Sequence, residues 1–456
     1  MAQTHNNSTP RSGFSSGFGV LAATLGSAVG LGNIWMFPYQ TGASGGAGFL
    51  LIYLLATVLV GLPLMIAEIS LGRTTRTDPV NVYRTLAPKS RWWLVGFAGM
   101  VAAILIMSFY SVVVGWVFSY VGKGFAGTLL SDDKTYLAES FGSMVGNPTL
   151  SLLMQWLVLL VVGGILLMGV TKGIEAVTKK LMPLLFILLL VVALTSLSLP
   201  NAMAGVKFLF LPDWSKINAT VIFMALGLAF FKLSLGIGSM MIYGSYFRTE
   251  QNIPKTALTV MLADLTVSLL AGLAIFPAVF AFGFNPAGGP SLLFKTIPAV
   301  FVHMPLGNVL GVMFFVLTSM AAIGAMLSIV EVPVAVMHER LNWSRTRAIV
   351  VVMAILLVLG GLCALSNSTL AHVTVFGKNI FDAFDFLASK LMMPLCGMAT
   401  CIFVALHWRK QDYIQAISNQ GQLRNQALLD KLYFITTKVS PVLIAVILVY
   451  GLLPQK

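Results

Sequence analysis

The sequence predicts an all-α integral membrane protein of about eleven transmembrane helices, and three observations carry that expectation. Hydrophobic residues make up 58% of the 456 positions and charged residues only 9%, where soluble domains run near a quarter charged. Eleven apolar runs are each long enough to cross the hydrocarbon core of a bilayer. Two of those runs, the first and the sixth, carry glycine-rich interruptions.

The first span covers roughly 17–40. Met1–Gly13 has a single charge and no small-residue cleavage site, so this span reads as retained rather than as a secretory signal. Four more follow at about 46–70, 92–122, 150–170 and 177–199, then the sixth at 217–246. The last five fall at about 255–284, 305–337, 347–366, 379–407 and 433–453.

The loops set the orientation. With the N-terminus inside, the inner segments hold 19 of the 28 basic residues, among them Arg73, Arg76, Arg84, Lys89, Arg91, Arg340, Arg345 and Arg347. That bias accounts for the net charge of +13 as membrane topology, with no nucleic-acid partner. An odd number of spans then leaves the C-terminus outside. A multi-pass location in a membrane is expected, with lipid as the surrounding partner. Cys363, Cys396 and Cys401 show no metal-ligand or disulfide spacing. His5, His303, His338, His372 and His407 are scattered, so no metal centre, cofactor or catalytic triad is expected, and the chain does not read as an enzyme.

The glycine interruptions read Gly26-Ser-Ala-Val-Gly-Leu-Gly-Asn-Ile-Trp-Met-Phe-Pro38 in span 1 and Ser234-Leu-Gly-Ile-Gly238 in span 6. Small residues also serve close helix packing in membranes. Here, however, the two breaks take corresponding places in two five-span halves, the pattern of a transporter binding site at the midplane. Half-helix N-termini offer N–H groups to an anion there, and unwound carbonyls offer ligands to a cation.

Lys232 lies just before the second break, in the middle of an apolar span. A charge near the bilayer centre costs a few kcal/mol at least and marks a functional site by default. Snorkelling would have to reach roughly two helical turns to the nearest interface, which strains a four-carbon stem.

Gly30-Leu-Gly-Asn-Ile-Trp-Met-Phe-Pro-Tyr39, Gly45-Gly-Ala-Gly-Phe49, Gly61-Leu-Pro-Leu-Met-Ile-Ala-Glu68 and Ser234-Leu-Gly-Ile-Gly238 closely resemble the neurotransmitter:sodium symporter family, over nearly the whole chain. The resemblance implies a single transporter domain over 1–456, with an inverted five-plus-five repeat (about 14–199 and 217–407) and an extra helix at about 433–453. It also implies alternating-access transport of a small amino acid or related compound. The implied substrate pocket takes Ala28 and Gly32 from span 1, Ile106 and Tyr110 from span 3, Phe231, Ser234 and Ile237 from span 6, and Ala325 and Ile329 from span 8. Tyr110 stands where the family holds a substrate carboxylate. The inner gate would comprise Arg11 with Glu339 and Tyr246 with Glu331, while Phe14 replaces the usual tryptophan.

Both sodium sites depart from the family pattern. At the first, Ala28 and Asn33 fit, but Lys232 stands in the threonine position and Asp264 in the span-7 asparagine position. Sodium wants several oxygen ligands, and an ammonium in the same space repels it. Lys232 is therefore expected to supply the missing positive charge, paired with Asp264 and facing the substrate carboxylate. At the second, Gly26, Val29 and Ala321 keep their carbonyls, but Gly324 and Ala325 replace the two hydroxyl residues, with Thr318 and Ser319 two turns away. Ser268 stands where chloride-dependent members place a serine, a weak pointer to chloride. Met36 replaces the outer-gate arginine, while its partner position holds Asp385, near Asp382 and Lys390.

The expected function is thus a secondary transporter of a small neutral amino acid or monocarboxylate that is sodium-independent or proton-coupled. The alternatives are a conventional sodium-coupled symporter with altered ion sites, or a membrane sensor that binds without carrying.

Overall fold

The computed structural model describes residues 17–248, 250–287, 292–419, 421–423 and 425–452. Its architecture is helical, as expected. Among the described residues nine helices are long and apolar enough to cross a membrane, from Ala47–Thr75 to Gln426–Tyr450. A tenth span is bent: Gly19–Ala28 and Gly32–Ala43 meet at 46° across the first glycine motif. The sixth is too short to count alone, because Ala219–Lys232 stops and the chain resumes as Ser239–Ser245 only after an unwound stretch. Each of the eleven apolar runs in the sequence thus has a helical counterpart, and the two that are broken are the two that carry glycine motifs.

Left-handed backbone makes the second break. Ser234, Gly236 and Gly238 all have positive φ, at 51°, 80° and 85°. Gly236 is also pressed against a neighbour, since a Cβ there would fall 2.2 Å from the carbonyl oxygen of Met393. Only glycine meets both demands without strain. Span 2 holds the unwound segment in place, with the buried Glu68 Oε1 accepting the Gly236 N–H at 2.8 Å.

The bundle is apolar on its outside and polar at selected points within. Leu55, Leu160 and Val358 are more than half exposed on the outer surface, where lipid is the solvent. Asn33, Glu68, Lys232, Asp264 and Glu331 are buried. The long helices Trp93–Phe125 and Gly307–Arg340 pack along each other, and the first half of span 1 lies against the latter. Both breaks therefore sit beside the two longest helices.

Candidate functional site

The breaks open onto a small cavity. Its lining contains all ten residues expected at a substrate pocket: Ala28, Gly32, Ile106, Tyr110, Phe231, Lys232, Ser234, Ile237, Ala325 and Ile329. Ser27, Gly30 and Met393 complete it; Ser27 and Gly30 lie in the first glycine motif, and none of the three was expected at the pocket. Ile106, Phe231, Ile237, Ala325, Ile329 and Met393 make most of the wall apolar.

Two hydroxyls give that wall its polarity. The buried Tyr110 accepts the Leu31 N–H at 3.0 Å, which leaves its own O–H to donate. Ser27 Oγ has no hydrogen-bond partner among the described residues. Ser234 is different, because its hydroxyl already donates to the Ser27 carbonyl at 3.0 Å and ties the two broken spans together. Close approach is strict here as well: a Cβ on Gly30 would come within 2.8 Å of the Ala325 Cβ and 2.9 Å of the Tyr110 hydroxyl oxygen.

Lys232 stands at the inner end of Ala219–Lys232, with its stem against Gly32. Its ammonium has three donors, and three acceptors surround it. Asp264 Oδ2 lies at 2.9 Å, the Tyr53 hydroxyl at 2.7 Å, and Ser268 Oγ also accepts. The rings of Tyr53 and Phe37 lie 4.7 and 5.4 Å away, with the ammonium over their faces. The side chains of Lys232 and Asp264 are both fully buried. On the other side, Asn33 donates to Asp264 Oδ1 at 2.6 Å and to Ser268 Oγ at 3.1 Å. Tyr53 also donates to Asp264 Oδ2 at 3.2 Å. All three N–H groups of Lys232 are thus engaged within the protein in this ligand-free structure. Tyr53, unnoticed in the sequence as one tyrosine in an apolar run, proves to be a partner of both charges.

The second ion-site positions gather around span 1. A Cβ on Gly324 would lie 3.3 Å from the Gly26 carbonyl oxygen, so these two positions are in contact, and Ala321 approaches Gly30 from the same helix. Val29 is buried in the turn between the half-helices. Thr318 and Ser319 each donate to the carbonyl four residues earlier in their own helix. Among the described residues no cluster of His, Cys, Asp or Glu could hold a metal ion.

The gate positions are only partly visible. Arg11 and Phe14 lie outside the described residues. Glu339 Oε2 accepts the Asp78 N–H at 2.8 Å. Tyr246 donates to Glu331 Oε1 at 2.8 Å, and Arg345 grips both carboxylate oxygens at 2.7 Å. Arg345 was seen in the sequence only as a topology charge. On the opposite side Asp385 Oδ1 accepts from Ser389 at 2.8 Å, one turn along its own helix. Lys390 is exposed, and it does not pair with Asp385.

Comparison with known proteins places this geometry. The model of the sodium:neurotransmitter symporter family matches residues 11–140 and 131–456. The uncharacterized sodium-dependent transporter YhdH of Bacillus subtilis (strain 168) is 38% identical over 431 residues, covering 93% of this chain and 92% of its own length. An uncharacterized sodium-dependent transporter of Haemophilus influenzae is 34% identical over 409 residues, covering 87% of this chain and 90% of its own length. The crystal structure of MhsT in complex with L-phenylalanine is similar with a TM-score of 0.91 at 39% identity, over 97% of this chain and 100% of that one.

Proposed function

The chain belongs to the sodium:neurotransmitter symporter family, as a multi-pass membrane transporter and not an enzyme, and from that premise we propose that it carries a small neutral amino acid or related monocarboxylate without sodium at the first ion site. One observation carries the reading: the ammonium of Lys232 sits 2.9 Å from Asp264 Oδ2 where the sequence resemblance puts that ion. A buried ammonium and a sodium ion cannot share the position, because two like charges a few ångströms apart in a poorly polarisable interior repel strongly. Asn33, the ligand position that is kept, donates its amide to Asp264 and is held within the pair.

In this reading the substrate fills the cavity between the two breaks. Its carboxylate meets the Tyr110 O–H and the N–H groups near Gly32, and Ser27 offers a further polar contact. The apolar wall favours a neutral side chain, in keeping with the phenylalanine bound to MhsT. Lys232 lines that cavity, and its pairing with Asp264 is tied to the span-1 turn through Asn33. Two interacting ionisable groups titrate jointly, which suits them to carry a coupling proton. Transport then proceeds by alternating access, the two broken spans moving against the long helices. The charge bias supports an inner-membrane protein with its N-terminus inside.

The test is uptake of neutral amino acids into proteoliposomes with choline in place of sodium. Uptake persists on this reading, and strict dependence on a sodium gradient sinks it. The names of the Bacillus and Haemophilus relatives favour a second reading, sodium-coupled symport through backbone carbonyls and Asp264. That alternative requires sodium-dependent binding that survives Lys232→Ala.

A further inference from the structure

At one end of the bundle two guanidiniums converge on a single indole. Arg84, on the short helix Pro79–Leu86, has its guanidinium carbon 5.0 Å from the centre of the Trp93 ring. Arg340, the last residue of Gly307–Arg340, lies 5.6 Å from the same ring. Each contact is attractive. The two like charges repel each other, and an anion at the ring edge would relieve that repulsion.

Among the described residues no salt bridge involves either arginine. Neighbouring acids have other partners: Glu339 Oε2 accepts the Asp78 N–H, Asp78 Oδ1 accepts the Val80 N–H, and Arg345 grips Glu331. Lys89 and Arg91 are exposed on the loop that leads into Trp93 and add to the positive charge.

The patch is also placed at a membrane surface. Trp93 is the first residue of the long apolar helix Trp93–Phe125, the position in which tryptophan marks the headgroup level. One turn further in, Phe97 packs edge-on against Trp93 at 6.3 Å and is 41% exposed, beside Leu94 at 46%. Basic groups at headgroup depth with bare apolar surface just beneath them match a molecule that has a phosphate at one end and acyl chains at the other. A free phosphate would use none of the apolar surface.

We propose that Arg84, Arg340 and Trp93, with Lys89 and Arg91, bind the phosphodiester of an anionic phospholipid in the leaflet on this side, its acyl chains lying on Leu94 and Phe97.

The experiment is retention of phosphatidylglycerol against phosphatidylcholine by the full-length protein in non-ionic detergent, read by native mass spectrometry. A basic residue near an anionic surface contributes about a factor of five. Arg84→Gln with Arg340→Gln should therefore lower phosphatidylglycerol affinity by roughly 25-fold, while Arg84→Lys with Arg340→Lys keeps most of it. The charge-matched pair Lys172→Gln with Lys180→Gln should change it much less. Equal retention of the two lipids by the wild type overturns the proposal. So does an equal loss in both Gln pairs, which would mean diffuse attraction without a site. Displacement of the lipid by millimolar inorganic phosphate overturns it too, by making the occupant a free anion.

Discussion

Lys232 Nζ lies 2.9 Å from Asp264 Oδ2, and neither side chain has any exposed surface. An ion pair removed from water in this way makes each partner depend on the other. Losing one strands a charge, whereas losing both leaves only neutral groups.

That asymmetry gives the first prediction. Lys232→Ala should lower stability by about 3–5 kcal/mol, because Asp264 then remains buried without a cation. Lys232→Thr with Asp264→Asn should recover much of the loss and, with oxygen ligands in place of the pair, acquire sodium-dependent stabilisation. Thermal unfolding of purified protein with sodium or choline reads both effects. A double variant indifferent to sodium would count against the assignment of this position.

At the second ion site, Gly324→Ser should introduce a hydroxyl beside the Gly26 carbonyl. A Cβ there meets Gly26 O at 3.3 Å and the flexible end of Met182 at 3.4 Å, so the side chain fits with a small adjustment. Paired with Ala325→Ser, it should raise the melting temperature in sodium relative to choline, while the wild type shows no difference. The reverse result would mean that the carbonyls alone already hold the ion.

Tyr110→Phe tests the substrate pocket. It removes an acceptor for the Leu31 N–H and the O–H assigned to the carboxylate. A hydrogen bond to a charged group contributes about 1.5–3 kcal/mol, so affinity should fall roughly 10- to 150-fold, with fold stability much less affected. Calorimetric titration with a neutral amino acid measures it.

Gly236→Ala should be poorly tolerated whatever the ligand. Its φ of 80° disfavours any side chain, and the new methyl would meet the Met393 carbonyl oxygen at 2.2 Å. Loss of folded protein in fluorescence-detected size exclusion is the expected outcome. Normal yield would mean that the unwound segment can rearrange.

The Tyr246–Glu331–Arg345 cluster carries a kinetic prediction. Glu331 is buried and held by three hydrogen bonds, so Arg345→Gln should weaken closure at that end more than Tyr246→Phe does. Labelling of a cysteine introduced in the cavity, applied from that side, should speed up in the same order. Equal rates for wild type and both variants would make the cluster structural and not a gate.

Much of this protein is legible in its sequence because membranes make backbone rules severe. An apolar run must be a helix, since unpaired backbone groups are costly in hydrocarbon, and a glycine motif within it marks the permitted interruption. The breaks at Gly30 and Gly236 follow from the glycine motifs, and the gathering of Tyr110, Phe231 and Ile329 around them is what the family resemblance implies. Tyr53, Ser27 and Arg345 do not. Each is an ordinary residue in its own segment, and only the docking of spans far apart in sequence gives it a partner or, for Ser27, leaves it facing the cavity without one.

By itself the sequence determined the number and order of the spans, the positions of the breaks, and the fact that a lysine and an aspartate stand where sodium ligands are expected. The spans and breaks depend on local chemistry in a solvent of fixed thickness, and the meaning of the lysine and aspartate rests on the family resemblance. The direction of the Lys232 ammonium was decided only by the tertiary structure. Tyr53, Asp264 and Ser268 converge on it from two other helices and use all three of its donors. A side chain with four rotatable bonds takes its direction from its acceptors, and those are fixed only once the helices have packed.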